Sequence, residues 1–337
     1  MPWLVMAALL GLALLSAALT WAARVYALRR QLLDQPGERR SHSIATPRGG
    51  GIAIVISLLV AAAVAACVWP DAAPSLAVAG LGLLLVAGIG WWDDHRPLPA
   101  MRRLLVHFLA AALLAGLVKV HGGSWLLSLL VLFFTASLIN IWNFMDGING
   151  IASSQAVIVA LGFATVLPWP YSLVPIALGL ACLGFLPFNF PQARIFMGDV
   201  GSGALGYAVA VVLAVAALQT DINWILLLLP LSAFLVDAGF TLLARILSGQ
   251  RWMEPHTQHV YQRAVQASQP CPGDRDVLCF GPVQYYSAQY LLQFAAEVGG
   301  CRSGRVVCRA DPAVAPPAQW IAPPIRNYSI YVFTLAG

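Results

Sequence analysis

The chain is made of apolar runs about as long as a bilayer is thick, and that repetition constrains its fold more than any other feature. Roughly nine runs follow one another, near residues 2–23, 50–69, 75–92, 104–120, 125–141, 151–168, 171–188, 202–219 and 223–247. A helix needs about 20 apolar residues to cross the ~30 Å hydrocarbon layer. Within lipid, every backbone N–H and C=O must find its partner inside the protein, so each run is expected to be a helix. Mean hydropathy is +0.78 and only 10% of residues are charged, which excludes an ordinary soluble domain. The expected fold is all-α, a polytopic integral membrane bundle of about nine transmembrane helices. It occupies residues 1–267, with a tail of different character at 268–337.

Charge orients the bundle. Arg24, Arg29, Arg30, Arg39, Arg40 and Arg48 lie between the first two runs. Arg96, Arg102 and Arg103 follow the third, Arg194 follows the seventh, and Arg245, Arg251 and Arg263 flank the end of the ninth. If every run spans, all of these share one side, and the other side carries only Asp71, Lys119 and Asp221 in its loops. By the positive-inside rule the Arg-rich side is cytoplasmic and the N-terminus periplasmic. The first run has no basic segment before it and basic residues after it, so it reads as a retained helix rather than a cleaved signal. The net charge of +5 comes mostly from Arg in the loops, and it does not point to nucleic acid.

The rare polar residues gather at the same ends of the runs. Asp93 and Asp94 lie in GIGWWDDHRPLPAMRRLL. Asn140, Asn143, Asp146 and Asn149 lie in NIWNFMDGING. Asn189, Phe196 and Asp199 lie in NFPQARIFMGDVGSG, His256 and His259 in EPHTQHVYQR, and Arg48 in ERRSHSIATPRGGG. Any one cluster alone reads as the cap or solvated end of its own helix. Five on one side read as a single cleft, and a carboxylate at a membrane border is a functional candidate.

These residue types suit one kind of chemistry. Carboxylates with Asn amides form a hard-oxygen set, matched to Mg²⁺ or Mn²⁺ rather than to a soft metal. Mg²⁺ commonly takes one or two protein carboxylates and completes its shell with substrate phosphates. The Gly-flanked FMGDVGSG is expected to open the eighth helix, whose first N–H groups would attract phosphate. Arg and His nearby would hold further phosphate charge. This is equipment for phosphoryl transfer, where positioning and charge neutralisation carry most of the catalysis. No Walker A sequence is present, which disfavours an ATP-driven pump.

Over about residues 30–263 the motifs together resemble the polyprenyl-phosphate N-acetylhexosamine-1-phosphate transferases, the superfamily that includes phospho-MurNAc-pentapeptide translocase. DDHRPLPAMRR is similar to the paired-Asp loop, with Arg102 or Arg103 near the usual downstream base. NIWNFMDGING resembles the Asn-x-x-Asn-x-x-Asp-Gly loop, and NFPQARIFMGDVGSG the Phe-Met-Gly-Asp-x-Gly-Ser segment. PHTQHVYQR resembles the last, His-containing loop.

The resemblance implies a reaction, a metal and a set of roles. A UDP-N-acetylhexosamine would give its sugar 1-phosphate to undecaprenyl phosphate at the cytoplasmic face, with Mg²⁺ (or Mn²⁺) as cofactor and UMP released. Its partners are therefore the nucleotide sugar, the polyprenyl phosphate and membrane lipid, and a second copy of the chain is a candidate partner as well. Asp93, Asp94 and Asp199 are the implied catalytic residues, with Asp199 and Asp93 as metal ligands. Asn143, Asp146, Asn149 and Asn189 would line the nucleotide site, with Phe196 against the uracil. Arg48, His256 and His259 would contact phosphate or sugar. The sequence leaves Asp93 and Asp94 undivided between holding the lipid phosphate and sharing the metal.

Three departures qualify the resemblance. Asn149 stands where many relatives carry a second Asp. The last loop reads His256-Thr-Gln-His259 rather than consecutive His, which argues against a muramyl-pentapeptide substrate and for the branch that starts O-antigen or other envelope glycans. Residues 269–337 hold four of the six Cys, Cys271, Cys279, Cys301 and Cys308, and no run long enough to span. Relatives usually continue with one or two more helices, so this tail reads as a disordered appendage or the product of a reading-frame change. Two other functions remain open from sequence. A transporter would place its charges nearer the bilayer midplane and show internal repeats. A catalytically impaired relative would bind lipid as a scaffold.

Overall fold

The structure, a computed structural model, describes residues 2–35 and 45–249. Its nine α-helices among these residues are α1 (Pro2–Arg29), α2 (Ile52–Val68), α3 (Ala73–His95), α4 (Ala100–Val120), α5 (Trp125–Met145), α6 (Ile151–Val166), α7 (Leu173–Asn189), α8 (Asp199–Gln219) and α9 (Ser232–Leu247). The fold is the expected membrane helical bundle. Six helical segments are long and apolar enough to cross a membrane, while α2, α6 and α7 are shorter apolar helices. With 17, 16 and 17 residues these three reach only about 24–26 Å at ~1.5 Å per residue.

The runs expected from sequence all form helix, and the differences lie at their ends. α3 continues to His95, so Asp93 and Asp94 ride on its last turn rather than in a loop. α8 begins at Asp199 itself. The ninth run enters as a 3-10 helix, Leu226–Leu231, before α9 starts. Pro230 explains the change, because its ring removes an N–H and crowds the preceding turn. Asp237, an acid within this last apolar run, accepts a hydrogen bond from Thr241 one turn on, at 3.2 Å.

α8 is the axis of the bundle. It touches α2, α3, α4, α5, α6 and α7, and from Val200 to Ala210 every residue is buried. Lipid offers no hydrophobic drive between helices, so close approach depends on small residues. Gly206 lets α8 press on the backbone of Leu138 and Ile139 in α5. Gly90 does the same for α3 against the backbone of Asp199 and Val200. Large apolar side chains such as Leu14, Val64, Leu105, Phe133 and Phe240 point outward, as lipid-facing positions should.

Chain alternation brings one end of every helix to the same side. There, β1 (Leu33–Asp34) pairs antiparallel with β2 (Thr46–Pro47). The segment after β2 is laced to the approach of α8. Phe196 N–H donates to Pro47 C=O (2.8 Å), Gly50 N–H to Phe196 C=O (2.9 Å) and Gly51 N–H to Met197 C=O (2.9 Å). A Cβ at Gly51 would lie 2.8 Å from Met197 Cγ and 3.0 Å from Gly201 N, so this crossing tolerates no side chain.

Candidate active site

Three aspartates, an arginine and an asparagine from four helices meet at that end. Arg103, one turn into α4, places one guanidinium nitrogen 2.8 Å from Asp93 Oδ2 and 3.3 Å from Asp199 Oδ2. Asn143, in the last turn of α5, donates from Nδ2 to Asp199 Oδ1 and to Ser202 Oγ, both at 2.9 Å. Asp93 Oδ1 accepts from Leu98 N–H at 2.5 Å. Charge-assisted bonds of this kind fix side-chain orientation better than neutral ones.

The second aspartate turns elsewhere. Asp94 Oδ1 accepts from Asp199 N–H at 3.1 Å, and Oδ2 from Val200 N–H at 3.0 Å. Gly201 and Ser202 N–H both donate to Gly198 C=O at 3.0 Å. The first four N–H groups of α8 are therefore all engaged. The expectation that they stand ready for a phosphate is not met, because a protein carboxylate already occupies that position. Arg48 supports this carboxylate: its guanidinium donates to Asp94 C=O, and its Nε lies 3.9 Å from Asp94 Oδ1.

A second group of residues joins the α5–α6 loop to the α7–α8 loop. Asn189 is buried and uses both ends of its amide, accepting from Gly150 N–H at 2.7 Å and donating to Ile195 C=O at 3.0 Å. Asn149 donates to Pro191 C=O at 3.2 Å. These amides hold loop geometry in the structure, a use that the motif alone did not reveal. Phe196 is half-buried beside the laced backbone. Asp146 follows the last turn of α5. Burial, and then the charge of Asp94, push its pKa up to about 7, so near neutrality it can accept or donate a hydrogen bond. His256 and His259 lie outside the described residues, as does the tail.

Two members of the site were not singled out from sequence. Arg103 was one of two adjacent candidates, and the structure separates them: Arg102 is exposed while Arg103 is turned inward between the acids. Ser202 follows Asp199 by three positions. That spacing on a helix puts both on one face, a signal present in the sequence once Asp199 is taken as the start of α8.

The donor set fits a hard divalent ion. Among the described residues no set of three or more His, Cys, Asp or Glu side chains gathers as a metal cage. The pair Asp93 and Asp199, whose carboxylates converge on one cationic nitrogen of Arg103, would be the protein's share of such a site. Mg²⁺ characteristically accepts such a pair and leaves its other positions to water and phosphate.

Helical bundle and acid cluster together define an integral membrane protein with a carboxylate site where the helices meet water. Residues 76–218 match the profile of glycosyl transferase family 4, a stretch that contains Asp93, Asp94, Arg103, Asn143, Asp146, Asn189 and Asp199. The chain is 32% identical over 308 aligned residues to the decaprenyl-phosphate N-acetylglucosaminephosphotransferase of Mycolicibacterium smegmatis, covering 77% of this chain and 75% of that protein. It is 29% identical over 259 residues to a probable undecaprenyl-phosphate N-acetylglucosaminyl 1-phosphate transferase of Bacillus subtilis, covering 70% of each. It is also 31% identical over 283 residues to the phospho-N-acetylmuramoyl-pentapeptide-transferase of Thermosynechococcus vestitus, covering 73% of this chain and 70% of that protein. The chain belongs to this family of polyprenyl-phosphate phospho-sugar transferases, as its motifs implied.

Proposed function

We propose that the protein transfers N-acetylhexosamine 1-phosphate from a UDP-sugar to undecaprenyl phosphate, releasing UMP and starting a lipid-linked envelope glycan. The observation that carries this reading is the convergence of Asp93, Asp199, Arg103 and Asn143 from four helices at one end of a membrane bundle. Of the two alternatives, a transporter is expected to place its charges nearer the bilayer midplane, and the gathering of the acids at one end of the bundle favours the transferase over it; a lipid-binding scaffold would give no product with any UDP-sugar. An N-acetylglucosamine donor is favoured by the names of the mycobacterial and Bacillus relatives, and the His256-Thr-Gln-His259 spacing argues against a muramyl-pentapeptide substrate.

In the proposed reaction an oxygen of the lipid phosphate attacks the sugar-bearing phosphorus. A new P–O bond forms, and the bond to the UMP oxygen breaks. A phosphate monoester has its second pKa near ~6, so the nucleophile is already largely dianionic at neutral pH, and no strong base is required. Asp93 and Asp199 would hold the Mg²⁺ (or Mn²⁺), which supplies charge neutralisation for the diphosphate when bound. Asn143 fixes the rotamer of Asp199. Arg103 keeps the two acids together and offers positive charge to the leaving phosphate. Asp146, Asn149 and Phe196 border the loops assigned to the nucleotide, with His256 and His259 assigned to phosphate or sugar.

Purified protein in detergent with undecaprenyl phosphate and a panel of labelled UDP-sugars tests the proposal. The expected result is lipid-linked sugar phosphate with equimolar UMP for one UDP-N-acetylhexosamine. No product with any donor, in Mg²⁺ or Mn²⁺, would overturn it. Orientation is tested separately. Single cysteines placed beside Asp146 and Arg194, in a cysteine-free background, should react with an impermeant maleimide only from the cytoplasmic side. Labelling of both from the periplasm would reverse the assigned topology.

A further inference from the structure

Adjacent residues on a helix project about 100° apart, and the paired aspartates of α3 take different partners. Asp93 leaves the helix toward Arg103 of α4. Asp94 leaves it toward the first turn of α8. Their exposures differ accordingly: the side chain of Asp199 is 36% exposed and that of Asp93 11%, against 5% for Asp94. Each oxygen of Asp94 takes a backbone N–H of α8, and Arg48 flanks the carboxylate.

Gly198 makes room for this arrangement. Its φ of 74° and ψ of 168° fall in a region essentially reserved for glycine. A Cβ there would lie 2.7 Å from Asp94 Oδ2 and 2.8 Å from Gly49 N. The carboxylate also meets the positive end of the α8 dipole. To reach a substrate, Asp94 would have to abandon two N–H groups in a buried place, which is costly.

We infer that Asp94 is a positioning residue that acts through α8: it fixes the first turn of that helix, and so the place of Asp199, without touching metal or phosphate. This rests on the proposed transferase reading, but its clearest readout does not require turnover. In the Asp94→Ala variant the α8 N-terminal amides at Asp199 and Val200 should exchange hydrogen faster than in the unmodified protein. In Asp94→Asn one of the two amides should stay protected, because Asn retains one acceptor oxygen, while the other, left facing the Asn NH2, should exchange faster than in the unmodified protein but less than in Asp94→Ala. Mn²⁺ affinity, read by electron paramagnetic resonance, should be unchanged in Asp94→Asn and reduced at least about tenfold in Asp93→Asn and Asp199→Asn. Turnover of Asp94→Asn should stay within about tenfold, with KM for the nucleotide sugar unchanged. Asp94→Ala should lose about 10²-fold in kcat, as misplacement by ~1 Å does.

Unaltered exchange at α8 in Asp94→Ala, or Mn²⁺ affinity in Asp94→Asn lowered as far as in Asp199→Asn, would overturn the inference. Absence of product from the unmodified protein would instead count against the transferase reading, and the exchange experiment would still decide the role of Asp94.

Discussion

Asp199→Asn should lower turnover by about 10²–10³-fold while the protein remains folded. Of the three aspartates, Asp199 has the most open side chain. The change is isosteric and keeps an oxygen for the Asn143 amide, so the end of α8 has no reason to move. What it removes is charge. A reaction that gathers two phosphate-bearing substrates depends on positioned charge more than on any proton transfer. If these two carboxylates hold the metal as proposed, losing one should also raise the Mg²⁺ concentration needed for half-maximal rate. Asp93→Asn should behave alike, because either change leaves Arg103 facing a single carboxylate, Asp199 in one variant and Asp93 in the other. Turnover at saturating Mg²⁺, beside thermal unfolding in detergent, is the measurement. Near-normal turnover in both variants would sink the assignment of the site.

The helices were legible in the sequence because bilayer thickness imposes a length that composition reveals directly. The common polar end was legible because each run reverses direction, so residues as distant as Arg48, Asp93 and Asp199 had to share a side. The ends of the helices were less so. Whether Asp93 and Asp94 close α3 or open a loop depends on partners supplied by α4 and α8, which no local pattern contains. For the same reason the paired acids looked equivalent. Their separation arises from a 100° turn of the helix and from what stands opposite. Asn189 illustrates a different limit: a polar residue beside a Gly-rich motif reads as a ligand contact, and here both ends of its amide are used on backbone. The anion-binding role expected of the α8 N-terminus failed through the same blindness, since the carboxylate that fills it comes from 105 positions earlier.

Gly90 should prove as sensitive as the aspartates although it carries no chemistry. It lies one turn before Asp93 and Asp94 on α3, against the first residues of α8. A Cβ at this position would fall inside the Asp199 carbonyl, 2.5 Å from its carbon and 2.7 Å from Val200 N. The obstacle is backbone, so no side-chain rotation relieves it and the two helices must part. A separation of ~1 Å is enough to cost about 10²-fold in rate at a positioned site. It would also stretch the 3.0 and 3.1 Å bonds from α8 to Asp94 beyond useful length. Gly90→Ala is thus expected to lose at least about 10²-fold in turnover and to unfold at a lower temperature. Helix propensity works in the opposite direction, because Ala is favoured over Gly by about 1 kcal/mol inside a helix, so any loss reports packing. Gly88→Ala is the control. It lies on the same helix with nothing within 4 Å of its Cβ position, and should match the unmodified protein in rate and melt at no lower a temperature. If Gly90→Ala were as active and stable as Gly88→Ala, the close approach of α3 to α8 would not be what holds the aspartates in register.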